Sequence, residues 1–128
     1  MKRLIAILFP VGLFLAACSG SNAATDLSSA EFSAKIVESG VVVLDVRTAG
    51  EFAEGHIPNA INIDVEAATF DSEIANLDKN ATYAVYCHSG RRSGIAVGKM
   101  ADAGFTHLFN LKSGIADLSA AGYPVVTN

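Results

Sequence analysis

The sequence predicts an α/β fold with a mainly parallel sheet of four to five strands and helices on both faces of the sheet. Segments with strand character alternate along the chain with segments of helical pattern, as expected for right-handed crossovers between parallel strands. Residues 41–46 form an almost continuous apolar run, which is typical of a strand covered on both faces. The length of 128 residues suits one compact domain and is too short for two.

Four segments have the composition of strands. β-branched, aromatic and other apolar residues dominate them, and such residues fit a pleated, largely buried surface. These segments are residues 41–46, 60–63, 82–86 and 107–111. The third of them ends directly before Cys87.

Five segments have a helical pattern. The first opens on Ser28-Ser29-Ala30-Glu31, which has the spacing of a capping box, and Gly40 closes it. The fourth consists largely of small residues and stops at Gly104. The predicted helices are residues 28–37, 51–54, 65–77, 94–103 and 114–121.

Residues 1–17 have the pattern of a bacterial signal peptide. Lys2 and Arg3 form a short basic start, and the apolar run that follows is shorter than the roughly 20 residues of a bilayer-spanning helix. The segment Leu15-Ala16-Ala17-Cys18 resembles a lipobox, in which the cysteine is acylated and becomes the new N-terminus. An ordinary secretory leader is the alternative, since alanine-rich ends also suit the general signal peptidase.

The lipobox interpretation divides the chain into three parts. They are a signal peptide at residues 1–17, a lipidated Cys18 with a flexible tether through residue 26, and a folded domain at residues 27–128. It also predicts a protein of the bacterial cell envelope, anchored by lipid in the membrane and facing the periplasm or the exterior.

The overall charge is acidic. The chain has 9 basic and 13 acidic residues, and loss of Lys2 and Arg3 with the leader makes the formal charge of −4 more negative by two. Nucleic-acid binding needs basic patches against phosphate, so the sequence predicts no nucleic-acid partner.

Two cysteines are present, and a lipobox would use Cys18. Cys87 is then left without an intramolecular partner in a compartment that favours oxidation of thiols. It is either an inert buried thiol or a reactive one, and its neighbours must decide. Three scattered histidines and one remaining cysteine make no metal-binding spacing, so no metal is expected.

The segment Cys87-His88-Ser89-Gly90-Arg91-Arg92-Ser93 follows the third predicted strand. Ligands of open α/β sheets bind beyond the carboxyl ends of the strands. Small residues after the cysteine allow successive backbone amides to form an anion-binding nest, and a helix N-terminus would face the same cup. Such surroundings lower the pKa of a cysteine and make it a nucleophile.

The loop, with two further motifs, resembles the rhodanese family. The motifs are Leu44-Asp45-Val46-Arg47-Thr48 with Glu51-Phe52 and Gly55-His56-Ile57-Pro58-Asn59-Ala60-Ile61-Asn62-Ile63, and Asn110-Leu111-Lys112-Ser113-Gly114-Ile115 with Gly122-Tyr123-Pro124-Val125. The resemblance covers about Leu27 to Val126. This chain departs from the family in carrying Leu118 where a Trp is frequent and Ser113 where a second Gly is common, which affects the expected pocket wall.

The resemblance implies a rhodanese-like fold and a sulfurtransferase activity with Cys87 as the nucleophile. The thiolate would take sulfur from thiosulfate or a polysulfide and pass it as a persulfide to a thiol or cyanide acceptor. A substrate cup made by His88, Ser89, Gly90, Arg91 and Arg92 is implied, together with bracing by Asp45 and Arg47. A protein acceptor of the sulfur is not identified by the sequence.

Several site residues have a structural interpretation beside the functional one. Arg92 is expected to point into the cup and contact the anion, whereas Arg91 is either a second contact or a solvated charge. His88 is expected to be exposed rather than to act as a general base. For Asp45 and Arg47 a structural ion pair is the favoured interpretation, and for His56 a hydrogen-bonded position in a turn.

Two other functions compete with sulfur transfer. A cysteine-dependent phosphatase or arsenate reductase of the same fold has five residues between Cys and Arg, whereas only four separate Cys87 from Arg92. A rhodanese domain that only binds a partner, or carries persulfide without turnover, is the second alternative, although such domains typically lack the cysteine that this chain has.

Overall fold

The computed structural model describes residues 24–128. The predicted signal peptide at residues 1–17, Cys18 and the start of the predicted tether lie outside the described residues. Between residues 24 and 128, no helix is both long and apolar enough to cross a bilayer.

Five strands and five helices alternate through the described chain, which confirms the predicted α/β class. The strands form one sheet in the order β1-β5-β4-β2-β3, and every pairing is parallel. The elements are β1 Ala24–Leu27, α1 Ser29–Lys35, β2 Val41–Asp45, α2 Ala49–Glu54, β3 Ile61–Asn62, α3 Phe70–Ile74, β4 Thr82–Tyr86, α4 Arg91–Asp102, β5 His107–Leu111 and α5 Gly114–Ala120.

Two hydrophobic cores lie on opposite faces of this sheet. On one face Phe70 of α3 and Met100 of α4 pack with buried strand residues such as Val85. On the other face Phe32 of α1 and Leu118 of α5 are buried. Helices therefore cover both faces, and burial on both sides explains the apolar run seen in the sequence of β2.

Strand β1 is the one strand that the sequence pattern does not predict. Thr25 and Asp26 are exposed, and only Leu27 at its end is buried, so the segment lacks the apolar pattern of a core strand. Backbone pairing with β5 holds it at the edge of the sheet, from Ala24↔Leu108 to Leu27↔Leu111. The ordered sheet thus begins three residues before the predicted start of the domain at Leu27.

Two helices differ most in their bounds from the prediction: α3 spans Phe70–Ile74 rather than residues 65–77, and α4 starts earlier than predicted. The sequence predicts a helix start at Gly94, whereas α4 begins at Arg91. Gly90 takes a left-handed conformation with φ of 99°, which turns the chain within three residues of Cys87. Arg91, Arg92 and Ser93 consequently form the first turn of α4 instead of a loop.

Helix α1 begins as its sequence predicts. The Glu31 amide donates to the Ser28 hydroxyl at 3.2 Å, and the Ser28 amide donates to the Glu31 carboxylate at 3.1 Å. This reciprocal pair satisfies two amides that the helix itself cannot bond.

Candidate active site

Cys87 lies directly after β4, between the carboxyl ends of β2 and β5. Its residue exposure is 1%, and it belongs to the core formed with α3 and α4. It is the free cysteine of residues 24–128. The exposed residues His88 and Ser89 follow it at the surface.

The Cys87 sulfur accepts a hydrogen bond from the Gly90 amide, with 3.0 Å between N and Sγ. Burial raises the pKa of the Cys87 thiol, but polar groups of Ser93 and of the loop before α4, among them the Gly90 amide, outweigh it. The pKa of Cys87 therefore lies below its ordinary value. These groups belong to the first turn of α4 and the residues before it, where the sequence predicts an amide nest.

The first turn of α5, with the two residues that precede it, supports the loop that follows Cys87. The Ile115 amide donates to the Cys87 carbonyl oxygen at 2.9 Å, and the Ala116 amide donates to the His88 carbonyl oxygen at 3.3 Å. The two segments approach so closely that a Cβ on Gly114, whose φ is 81°, would overlap the His88 carbonyl. A Cβ on Gly90 would overlap the Lys112 carbonyl in the same way.

Arg92 is bound by a carboxylate of another helix. Its Nη1 and Nη2 lie 2.7 and 2.8 Å from Oε1 and Oε2 of Glu51, in a fork-to-fork pair that joins α2 to α4. The Glu66 carboxylate lies 3.8 Å from Nε of the same guanidinium. Hydrogen bonding to Arg92 is the largest cause that lowers the pKa of Glu51, to about 2.

Arg91 is the more exposed of the two arginines. Within residues 24–128, no carboxylate lies at salt-bridge distance from its guanidinium. Arg91 is thus an exposed cation in the first turn of α4.

Asp45 and Arg47 form a buried ion pair beside the site. Their residue exposures are 0% and 5%. The guanidinium donates Nη2–H and Nε–H to Oδ2 of Asp45, at 2.7 and 3.2 Å, and Nη2 also contacts the Gly55 carbonyl oxygen at 2.7 Å. Burial lowers the pKa of Arg47, but bonding to Asp45 outweighs this and raises it. These contacts fix the chain between β2 and α2, in keeping with a structural ion pair.

His56 is buried in the turn after α2, where its Nδ1 is 2.8 Å from the Phe52 carbonyl oxygen. Its ring stacks on that of Phe52 with 3.6 Å between centroids. Within the described chain, no group of three or more His, Cys, Asp or Glu residues could hold a metal ion.

A groove of about 250 Å³ opens beside the loop that follows Cys87. Its lining includes Arg47, Glu51, His88, Ile115 and Val125. Leu118, at the position where a Trp was expected, is buried in the core with α1 and is absent from this wall. It instead borders a separate cavity of about 380 Å³ between α1 and α5.

Two contributors to the site escaped sequence reasoning. The sequence motif includes Glu51 but does not indicate its contacts, although Thr48 and Glu51 have the spacing of a capping box and do form one. Ser93 was seen as the end of the loop, whereas its side chain is fully buried in the first turn of α4. The spacing of Thr48 and Glu51 could have predicted the start of α2, but no nearby residue indicates that Glu51 pairs with Arg92.

The family to which the chain belongs follows from comparison with known proteins. A model described as a rhodanese-like domain matches residues 28–121. The chain belongs to the rhodanese-like family. The match extends from the N-cap of α1 to the end of α5 and includes Cys87, so the rhodanese-like domain comprises nearly all of the described fold.

Relatives of this rhodanese-like chain include sulfurtransferases. It is 36% identical over 76 residues to the thiosulfate sulfurtransferase PspE of Escherichia coli, covering 59% of this chain and 72% of that protein. It is 34% identical over 90 residues to the thiosulfate sulfurtransferase GlpE of Pseudomonas putida, covering 70% and 79%. A sulfurtransferase of Allochromatium vinosum is 30% identical over 86 residues, covering 67% and 78%.

Solved structures of rhodanese-like proteins have the same fold. A rhodanese-related protein of Thermoplasma volcanium has a TM-score of 0.66 and 32% identity, covering 80% of this chain and 98% of that chain. A rhodanese-like domain protein of Staphylococcus aureus has a TM-score of 0.63 and 32% identity, covering 70% and 86%.

Proposed function

We propose that the chain is a sulfurtransferase that moves sulfane sulfur from thiosulfate or a similar donor to a thiophilic acceptor through a persulfide on Cys87. The observation that carries the proposal is the Cys87 sulfur, which accepts the Gly90 amide at 3.0 Å at the N-terminal end of α4. Amides that stabilise a thiolate also stabilise the negatively charged terminal sulfur of a persulfide. An oxyanion hole stabilises a negatively charged oxygen in the same way. The relatives named as thiosulfate sulfurtransferases support the same chemistry.

The reaction divides into two displacements. The Cys87 thiolate attacks the outer sulfur of thiosulfate, a new S–S bond forms, and the original S–S bond breaks with its electron pair leaving on sulfite. The acceptor, a thiolate or cyanide, then attacks the terminal sulfur and restores the Cys87 thiolate. Both steps conserve charge and electrons, so no metal or organic cofactor takes part.

The groove beside the loop suits the approach of an acceptor. It meets the loop at His88, and its wall includes apolar side chains of Ile115 and Val125. A thiol on a small molecule or on a protein could approach Cys87 along this surface. The short spacing of Cys87 and Arg92, with α4 starting four residues after the cysteine, disfavours the wider cradle of a phosphatase.

Sulfur uptake by Cys87 is the test of this function. Incubation of the reduced protein with thiosulfate is expected to add about 32 Da, the mass of one sulfur atom, at Cys87. Because the pKa of Cys87 is lowered, the uptake rate should rise with pH and reach half its maximum below about pH 8.5, the ordinary value for a thiol. Intact-mass and peptide spectra across pH measure both quantities.

A folded, reduced protein that takes up no sulfur from thiosulfate or polysulfide would exclude sulfur transfer and leave a binding domain. Release of phosphate from an aryl phosphate at comparable rates would favour the phosphatase alternative instead.

We also propose that Cys18 is lipidated and holds the domain at the bacterial cell envelope. The proposal rests on the lipobox-like segment that ends at Cys18 and on the polar residues that follow it. The full-length wild-type protein is expected in the detergent phase after membrane extraction, and Cys18→Ser is expected to move it out of that phase, because the acyl chains would be missing. A wild-type mature form without acyl mass on Cys18 contradicts this proposal and leaves the proposed sulfur transfer untouched.

A further inference from the structure

We propose that Glu51 sets donor selectivity by disfavouring dianionic sulfur donors, such as thiosulfate, relative to monoanionic ones. The inference rests on the proposed function, since it concerns the donor from which Cys87 takes sulfur. Glu51 acts on the donor through Arg92 and is therefore a positioning and specificity residue.

Glu51 and Arg92 form a two-pronged ion pair. Each carboxylate oxygen of Glu51 binds a different Nη of Arg92, at 2.7 and 2.8 Å. A donor cannot take the same two-pronged contact with Arg92 unless it displaces this carboxylate. The pair is partly shielded, with side-chain exposures of 16% for Arg92 and 31% for Glu51, so solvent screens it less than an open surface pair.

Glu51 is also fixed on its own helix. Its Oε1 accepts the Thr48 hydroxyl at 3.2 Å, and its amide donates to the same hydroxyl at 3.2 Å. Movement of the carboxylate away from Arg92 would break the capping box of α2 as well as the ion pair. Since bonding to Arg92 lowers the pKa of Glu51 to about 2, the carboxylate stays charged throughout the neutral range.

The charge around the cup follows from these contacts. Arg92 contributes one positive charge, and the Glu51 carboxylate cancels it at close range. The Glu66 carboxylate adds a second negative charge 3.8 Å from Arg92 Nε. Glu51 and Glu54 both line the groove that His88 borders, so the second charge of a dianion bound there meets carboxylates.

Two probes differ mainly in that second charge. Thiosulfate is a dianion and methanethiosulfonate a monoanion, and each presents a terminal sulfane sulfur. The Cys87 thiolate attacks that sulfur, the S–S bond of the donor breaks, and its electron pair leaves on sulfite or on methanesulfinate. In each case the product on the protein is the same persulfide, so the two rates compare donors alone.

The test is the ratio of kcat/KM for methanethiosulfonate to that for thiosulfate, with cyanide as the common acceptor. Glu51→Gln is expected to lower this ratio about tenfold, mostly through a lower KM for thiosulfate, because one carboxylate charge near the donor disappears. Glutamine is itself accepted at this position of a capping box, so the start of α2 is retained. A purely structural role would change both donors by the same factor.

Glu31→Gln is the matched control. Glu31 occupies the equivalent position in the capping box of α1, and no arginine within residues 24–128 pairs with it. Its substitution is expected to leave the ratio unchanged. Glu66→Gln is a second variant on the site, expected to lower the ratio roughly two- to threefold because Glu66 is more exposed and farther from Arg92.

An unchanged ratio in Glu51→Gln overturns the inference, and if that variant does not fold, an unchanged ratio in Glu66→Gln overturns it. Failure of the wild-type protein to take sulfur from either probe would instead exclude the proposed function. The two failures are therefore distinguishable in one set of measurements.

Discussion

Cys87→Ser is expected to abolish sulfur uptake and to lower sulfur transfer by at least about three orders of magnitude. The substitution keeps the shape of the side chain, but a serine hydroxyl at its ordinary pKa supplies almost no anionic nucleophile. The amide nest cannot compensate, because the Gly90 contact at 3.0 Å stabilises a thiolate that is no longer present. Persulfide mass and turnover of thiosulfate with cyanide are the measurements.

Thermal unfolding serves as the control for this variant. The hydroxyl replaces a sulfur that is 1% exposed, so a modest loss of stability of about 1–3 kcal/mol is expected without loss of the fold. A folded Cys87→Ser protein that still gains sulfur from thiosulfate would show that another group accepts it. Cys87→Ala, which removes the hydroxyl as well, then identifies any residual role of the side chain.

Arg47→Ala is expected to lower the free energy of unfolding by about 3–5 kcal/mol. The substitution leaves the Asp45 carboxylate fully buried without its cation, and a buried unpaired charge is costly. It also removes the contact between Nη2 and the Gly55 carbonyl oxygen, at 2.7 Å. Urea denaturation followed by circular dichroism measures the effect through the transition midpoint.

Lys35→Ala is the matched control for that measurement, because Lys35 also pairs with a carboxylate, at 3.0 Å from Glu38. Glu38 has a side-chain exposure of 55%, so loss of this pair is expected to cost no more than about 1 kcal/mol. Equal losses in the two variants would contradict the view that burial makes the Asp45–Arg47 pair important. A double variant Asp45→Asn with Arg47→Met should recover part of the stability, since it removes both charges together.

Local sequence patterns predicted much of the site because the chemistry is concentrated in one segment. Cys87 follows a strand whose composition identifies it, and Gly90 is one of the few residues that turns a chain with a positive φ at little cost. Those two features place a cysteine at the carboxyl end of a central strand and before a helix. The position of the thiol in the nest therefore depends on neighbours within six residues.

Charge partners could not be predicted in this way. Arg92 and Glu51 are 41 residues apart, and their pairing depends on how α2 and α4 meet at the edge of the sheet. The sequence predicts that Arg92 faces a bound anion. Folding brings Glu51 to both of its Nη atoms, a long-range contact that no local pattern indicates.

By itself, the sequence determined the α/β class, four of the five strands, the capping box of α1 and the position of Cys87 after a strand, because these depend on periodicity and on contacts between near neighbours. Only the tertiary structure decided the edge strand β1, the burial of the Asp45–Arg47 pair and the partner of Arg92. Each of these depends on segments distant in the chain. A polar edge strand is held by backbone pairing, and two helices can compensate each other's charge through a single contact. Neither feature produces a periodic pattern in the sequence.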